Sequence, residues 1–197
     1  MSAEAWFYDA VHFVMGIGLF DAAGEDTFAP GAPMTRAMLA EALYRLTIND
    51  EQLTISSVNS EFRIPNSQFT DVDEDAWYHD AVMWASSVGV VTGMGNGIFA
   101  PDDSITREQI ATMLYRYATY RIEKGELRKE NEDDNNSQFS TLNSQFTYAN
   151  KISTWAAEAM DWAVTVGIIA GMGDGTVAPQ GTATRAQVAQ ILYNYKD

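Results

Sequence analysis

Three arginines stand out by type and position. Arg36, Arg107 and Arg185 each follow a threonine, and each lies thirty residues after a tryptophan: Trp6, Trp77 and Trp155. A guanidinium can grip a carboxylate through two parallel hydrogen bonds. As the first residue of a helix, however, it faces the positive end of the helix dipole, which is locally unfavourable. Threefold recurrence therefore asks for a compensating partner. An anion docked at the helix start would use the free N–H groups there as well as the guanidinium. The competing partner is a protein carboxylate such as Asp71, Asp80 or Glu158. Ligand contact is the preferred reading. The tryptophans divide the same way, since an indole face stacks on a ligand ring such as a sugar or simply begins the apolar stripe of a helix. For them core packing is the default, and more firmly so for Trp84, Trp162 and the equivalent Phe13.

Other chemistries fail on detail. Asp71, Asp73 and Asp75 have the spacing of the first three calcium-loop ligands, but Ala76 stands where the loop needs glycine and Val82 where it needs glutamate. No metal is expected. The loops Gly93-Met94-Gly95-Asn96-Gly97 and Gly171-Met172-Gly173-Asp174-Gly175 lack the Lys-Ser/Thr of a phosphate-binding loop. His12 and His79 occupy unrelated columns, there is no Gly-x-Ser-x-Gly elbow, and no carboxylate pair recurs, so neither an enzyme nor a cofactor is expected. With no cysteine, thiolate catalysis and Cys-ligated metals are excluded.

The elements that must position these residues are themselves repeated. Windows 6–46, 77–117 and 155–195 align without a gap, and eleven columns are identical in all three. Each copy opens with a helical pattern, as in Trp77, Ala81, Trp84, Ala85 and Val88 at spacings of three and four. Gly18, Gly89 and Gly167 stand where a left-handed residue would end that helix. A loop containing Ala-Pro follows. Its glycines, including Gly95 and Gly173, permit either a tight turn or close backbone approach to a ligand. A second helix is predicted to open at Thr35, Thr106 and Thr184. Gln109 and Gln187 complete capping boxes in copies two and three, while Met38 breaks the pattern in copy one.

Copies of about 41 residues are individually too small to hold a core, so the three must share one. The predicted organisation is repeat one at 1–46, a linker at 47–68, repeat two at 69–120, a charged and polar insertion at 121–145, and repeat three at 146–197. The insertion is expected to be mobile, and the linker to add a short helix or extended piece. Asn-Ser-Gln-Phe recurs at 66–69, 136–139 and 143–146, without a physical account. Hydrophobic residues make up 46% of the chain, enough for a folded body. The net charge of −15 with no basic stripe argues against a nucleic-acid partner. Residues 11–20 follow Glu4 and Asp9 rather than a basic segment and are read as fold, not targeting. No apolar run reaches a membrane-spanning length.

Copy two carries Phe69-Thr70-Asp71-Val72, Trp77, Gly89, Gly93, Gly95, Phe99, Pro101 and Ile105-Thr106-Arg107; copies one and three match from the tryptophan onward. In these residues the chain resembles the S-layer homology domain in three tandem copies. The resemblance implies a mainly all-α, pseudo-threefold body with a shared central helical bundle and clefts between copies. It further implies an extracellular, non-catalytic anchor, exported by a signal outside this chain. Its clefts would bind secondary cell-wall polysaccharide, often through a pyruvyl-ketal sugar. Arg36, Arg107, Arg185, Trp6, Trp77, Trp155, Gly95, Gly173 and Asp71 are the implied ligand-binding residues. A surface-protein partner within a lattice, or a covalently linked cargo domain, is the alternative association. Copy one starts too early to show Phe-x-Asp-Val, copy three has Phe146-Thr147-Tyr148-Ala149 instead, and no copy has glutamate after Thr-Arg-x.

Overall fold

The computed structural model describes residues 4–24, 27–51, 69–125, 151–173 and 175–196. Residues 52–68 of the expected 47–68 linker and nearly all of the expected insertion, with Tyr148 and two of the Asn-Ser-Gln-Phe echoes, lie outside them, while residues 47–51 continue α2. Six α-helices are present among the described residues. They are α1 (Tyr8–Gly16), α2 (Arg36–Glu51), α3 (His79–Ser87), α4 (Arg107–Glu123), α5 (Ala157–Thr165) and α6 (Arg185–Tyr195), with a 3₁₀ turn at Thr154–Ala156 ahead of α5. No strand occurs among the described residues, only isolated β-bridges. The mainly all-α expectation therefore holds.

The helix boundaries follow the local chemistry. The first helix of each copy stops at a glycine in the left-handed region: Gly18 at φ 72°, Gly89 at 79° and Gly167 at 77°. The second helices of copies two and three begin in complete capping boxes, Thr106 with Gln109 and Thr184 with Gln187. In copy one, Thr35 Oγ1 still accepts from the Met38 N–H at 3.2 Å, but methionine cannot return the bond.

The main helix pairings join different copies. α2 packs on α3 of the following copy, α4 packs on α5 of the copy after that, and α6 closes the cycle on α1. Acidic residues at equivalent places in the first turns of α1, α3 and α5 (Asp9, Asp80, Glu158) lie at these pairings. At one of them, Tyr115 donates to Glu158 at 2.6 Å. The second helices also meet one another. Thr47 on α2 donates to the Tyr117 hydroxyl on α4 at 3.1 Å, and the Tyr117 ring lies 5.9 Å from that of Tyr195 on α6. Trp84 is fully buried beside Tyr44, Tyr117 and Tyr120. Trp162 and Phe13 pack against the core edge, partly buried.

The backbone between the copies repeats the same cycle. The Met34 N–H donates to Ala183, Ala183 to Ile105, and Ile105 back to Met34, at 3.0, 3.1 and 2.9 Å. These equivalent residues are all buried. Each lies two positions before an arginine, so the closed triangle fixes where the three second helices begin.

A candidate ligand cleft at the junctions between copies

Each second helix starts against the Ala-Pro turn of the next copy. The N–H groups of Arg36 and Ala37 donate to the carbonyls of Asp103 and Pro101, those of Arg107 and Glu108 to Gly181 and Pro179, and those of Arg185 and Ala186 to Ala32 and Pro30. The threonine cap takes the N–H at the third position. The first three helical N–H groups are thus taken in every copy, and in copies two and three the threonine N–H is taken by glutamine as well, so the expectation of an anion held by free N–H groups at each helix start is corrected. The turns doing this hold Ala29, Ala100 and Ala178 at φ 50°, 59° and 42°. That left-handed conformation costs an alanine about 1–2 kcal/mol each, and the carbonyls it presents to the neighbouring helix offset the strain.

The arginines follow the same direction. Arg36 Nε donates to the Phe99 carbonyl at 2.8 Å, Arg107 Nε to Val177 at 2.7 Å and Arg185 Nε to Phe28 at 2.9 Å. All three residues are about 5% exposed. The partner that compensates the dipole is thus a backbone carbonyl of the next copy; neither Asp71, Asp80 nor Glu158 forms an ion pair with them. Burial lowers each guanidinium's pKa from its usual value, countered by the charges of Asp103 and Asp71 at Arg36 and of Asp21 at Arg185. The outer nitrogens differ. Arg107 Nη2 donates to the Ala170 carbonyl and Arg185 Nη2 to that of Asp21, both at 2.6 Å. The Nη atoms of Arg36 have no hydrogen-bond partner among the described residues. Arg36 lines a cleft.

That cleft has a volume of ≈ 290 Å³ and takes its walls from all three copies. Arg36 comes from copy one, the Val90–Met94 loop and one face of α4 from copy two, and Trp155 from copy three. Trp155 is 55% exposed, and its equivalents Trp6 and Trp77 are 64% and 58% exposed. The default core placement of these tryptophans is therefore corrected. Each lies ahead of its helix rather than on the helix's buried stripe.

Other expected site residues serve the loops. Asp71 accepts from the N–H groups of Phe99 and Ala100 through its two oxygens, at 2.8 and 2.7 Å, and so shapes the turn that presents the Phe99 carbonyl to Arg36. Gly95 and Gly173 adopt φ 97° and 85° with open space where a Cβ would stand, as a turn requires. In the first of these loops the cleft wall is Gly93 and Met94. Gly93 is tightly enclosed, since a Cβ there would meet the Phe69 ring at 2.6 Å and the Ile98 carbonyl at 2.7 Å.

Two residues with a role at the junctions were not singled out by sequence reasoning. Glu108 is buried between copies two and three. It accepts from the Ser153 N–H and hydroxyl at 3.1 and 2.9 Å and from the Gln180 amide at 2.7 Å. Arg116, on α4, lines the cleft. Comparing its column with Arg45 and Asn194 was the available signal. Among the described residues no cluster of His, Cys, Asp and Glu could hold a metal, and no helix is long and apolar enough to cross a membrane.

Helix–loop–helix copies that interlock in a cycle, with a cleft where copies meet, define a tandem-repeat module. The S-layer homology domain model matches residues 68–111 and 146–189, so the chain carries S-layer homology domains in its second and third copies, to which the first is joined by the eleven shared columns. Exoglucanase XynX of Acetivibrio thermocellus is 27% identical over 194 residues, covering 96% of this chain and 15% of that protein. An endoglucanase of a Bacillus species is 31% identical over 84% of this chain and 15% of its own length. An S-layer protein of Bacillus thuringiensis subsp. finitimus is 26% identical over 70% of this chain and 15% of its own. The chain thus spans a small fraction of each of these relatives. With these domains the chain is that of a cell-surface, extracellular protein.

Proposed function

We propose that the chain is a non-catalytic anchoring module that holds secondary cell-wall polysaccharide in a junction cleft, through an anionic sugar substituent such as a pyruvyl ketal. The observation that carries this reading is the cleft where Arg36 of copy one and Trp155 of copy three converge on the Val90–Met94 loop of copy two. The outer nitrogens of Arg36 are placed to grip a carboxylate, and the exposed indole offers a face to the sugar ring. Asp71 acts indirectly, by holding the turn on which Arg36 rests. Further support comes from the relatives. Proteins named exoglucanase, endoglucanase and S-layer protein share this stretch over 15% of their length. Their names share no single reaction, which favours attachment over catalysis as the role of the shared stretch.

The test is calorimetric titration of the chain with wall polysaccharide, intact and stripped of its ketal pyruvate. Binding of the intact polymer alone is the expected result. Equal binding of both forms removes the anion from the mechanism, and binding of neither overturns the reading.

A further inference from the structure

We propose that the three junctions are not equivalent and that one alone takes the anion: the cleft of Arg36, where Arg116 supplies a second guanidinium and determines specificity. This rests on the anchoring reading above and assigns its site within the molecule.

The shifts of 71 and 78 residues that relate the copies set Arg116 in register with Arg45 and Asn194, Thr92 with Asp21 and Ala170, and Thr112 with Glu41 and Gln190. The same framework thus carries three different sets of charges. At the copy-two loop, half-buried Arg116 makes one weak contact, from Nη1 to Thr92 Oγ1 at 3.3 Å, and has no carboxylate partner among the described residues. Arg36 spends only its Nε. Two guanidiniums therefore keep unused N–H groups around one cleft, in a chain whose net charge is −15.

At the copy-one loop the equivalent cation is already occupied. Arg45 takes both oxygens of Asp21 at 2.9 and 2.8 Å, together with Glu41 at 2.7 Å. These two carboxylates occupy the cation that a ligand's carboxylate would need. Arg185 on the same side spends its outer nitrogen on the Asp21 carbonyl. At the copy-three loop the equivalent residue is neutral. Asn194 Oδ1 accepts from Gln190 at 2.8 Å, and Arg107 spends both Nε and Nη2 on backbone. One junction is thus doubly cationic and open, one is internally neutralised, and one lacks the second cation.

The experiment titrates the whole chain with a methyl glycoside bearing a pyruvate ketal, with its pyruvate-free counterpart as control. The expected stoichiometry is one. Arg116→Gln should weaken binding at least tenfold and leave the urea midpoint nearly unchanged, because the side chain's only hydrogen bond among the described residues is the weak one to Thr92. Arg45→Gln should leave affinity unchanged. Asp21→Asn combined with Glu41→Gln should release Arg45 and raise the stoichiometry toward two. Unaltered chain that binds two or three equivalents, or binds one with Arg116→Gln unaffected, overturns this inference while leaving the anchoring reading intact. Unaltered chain that binds neither the glycoside nor intact polymer overturns both.

Discussion

Replacing each of the three arginines with methionine, which keeps much of the apolar stem, should destabilise the fold by amounts ranked by what each guanidinium touches. Arg36 makes one hydrogen bond to a carbonyl and lies 4.9 Å from the Phe99 ring centroid. Arg107 makes two such bonds and has valine, not phenylalanine, at the turn. Arg185 makes two and lies over the rings of Phe20 and Phe28 at 5.3 and 4.8 Å. A hydrogen bond to a charged group contributes about 1.5–3 kcal/mol and an aromatic contact about 0.5–1 kcal/mol. Water reaching the vacated carbonyls recovers roughly half of this. The expected losses are then about 1.5 kcal/mol at position 36, about 2 at 107 and about 3 at 185. Urea unfolding followed by tryptophan fluorescence reads the order directly, provided the m-value is unchanged. Should Arg36→Met cost as much as Arg185→Met, or should all three fall within about 0.5 kcal/mol of zero, the reasoning from unspent nitrogens fails.

Three other perturbations address separate links. Gly93→Ala should cost about 3 kcal/mol or more in thermal or urea unfolding, because a left-handed φ of 71° and a backbone clash act together, whereas Gly95→Ala, strained but unobstructed, should cost only about 1–2 kcal/mol. Asp71→Ala leaves the N–H groups of Phe99 and Ala100 without their acceptor and should destabilise by about 2 kcal/mol; a loss below about 0.5 kcal/mol would show that the turn forms without it. The hydrogen bond to Glu158 pushes the Tyr115 hydroxyl up to about 12, and burial does the same at Tyr44. Both raised values favour the neutral phenol in the fold, so this stability is complete below the unfolded value of about 10 and is lost as the pH rises through about 12. Unfolding measured across that window should show the decline, and Tyr115→Phe should reduce its slope.

The elements could be read in advance because their determinants are local. Apolar spacing marks a helix, a glycine able to reach positive φ ends it, and threonine with glutamine three residues later begins the next; residues 89, 106 and 109 do what their types require. Pairing is another matter. Nothing in a period of three to four residues says that α2 packs on α3 of the next copy rather than on α1 of its own, because the period marks an apolar face and not the partner that covers it. The tryptophans escape the spacing rule for a related reason. Trp77 fits the stripe of Ala81, Trp84 and Val88 arithmetically, but α3 begins at His79, and ahead of that residue helical spacing has no meaning. The arginines' partners were hidden more deeply, since a carbonyl oxygen belongs to every residue and leaves no trace in side-chain type.

That same fact bears on why the copies differ where they do. The contacts that close the cycle are mostly backbone to backbone, or arginine to backbone, and hold whether the turn carries Phe99, Val177 or Phe28. What they require is the arginine, the Ala-Pro turn and the triangle at Met34, Ile105 and Ala183, and the first two of these are identical in all copies. The cleft positions one and two turns further along the second helices bear none of that burden. Arg116, Arg45 and Asn194 can each stand on the same scaffold, as can Thr112, Glu41 and Gln190. Identity in the shared columns therefore reports how the ring closes, and the residues that set ligand chemistry are sought among the columns that differ.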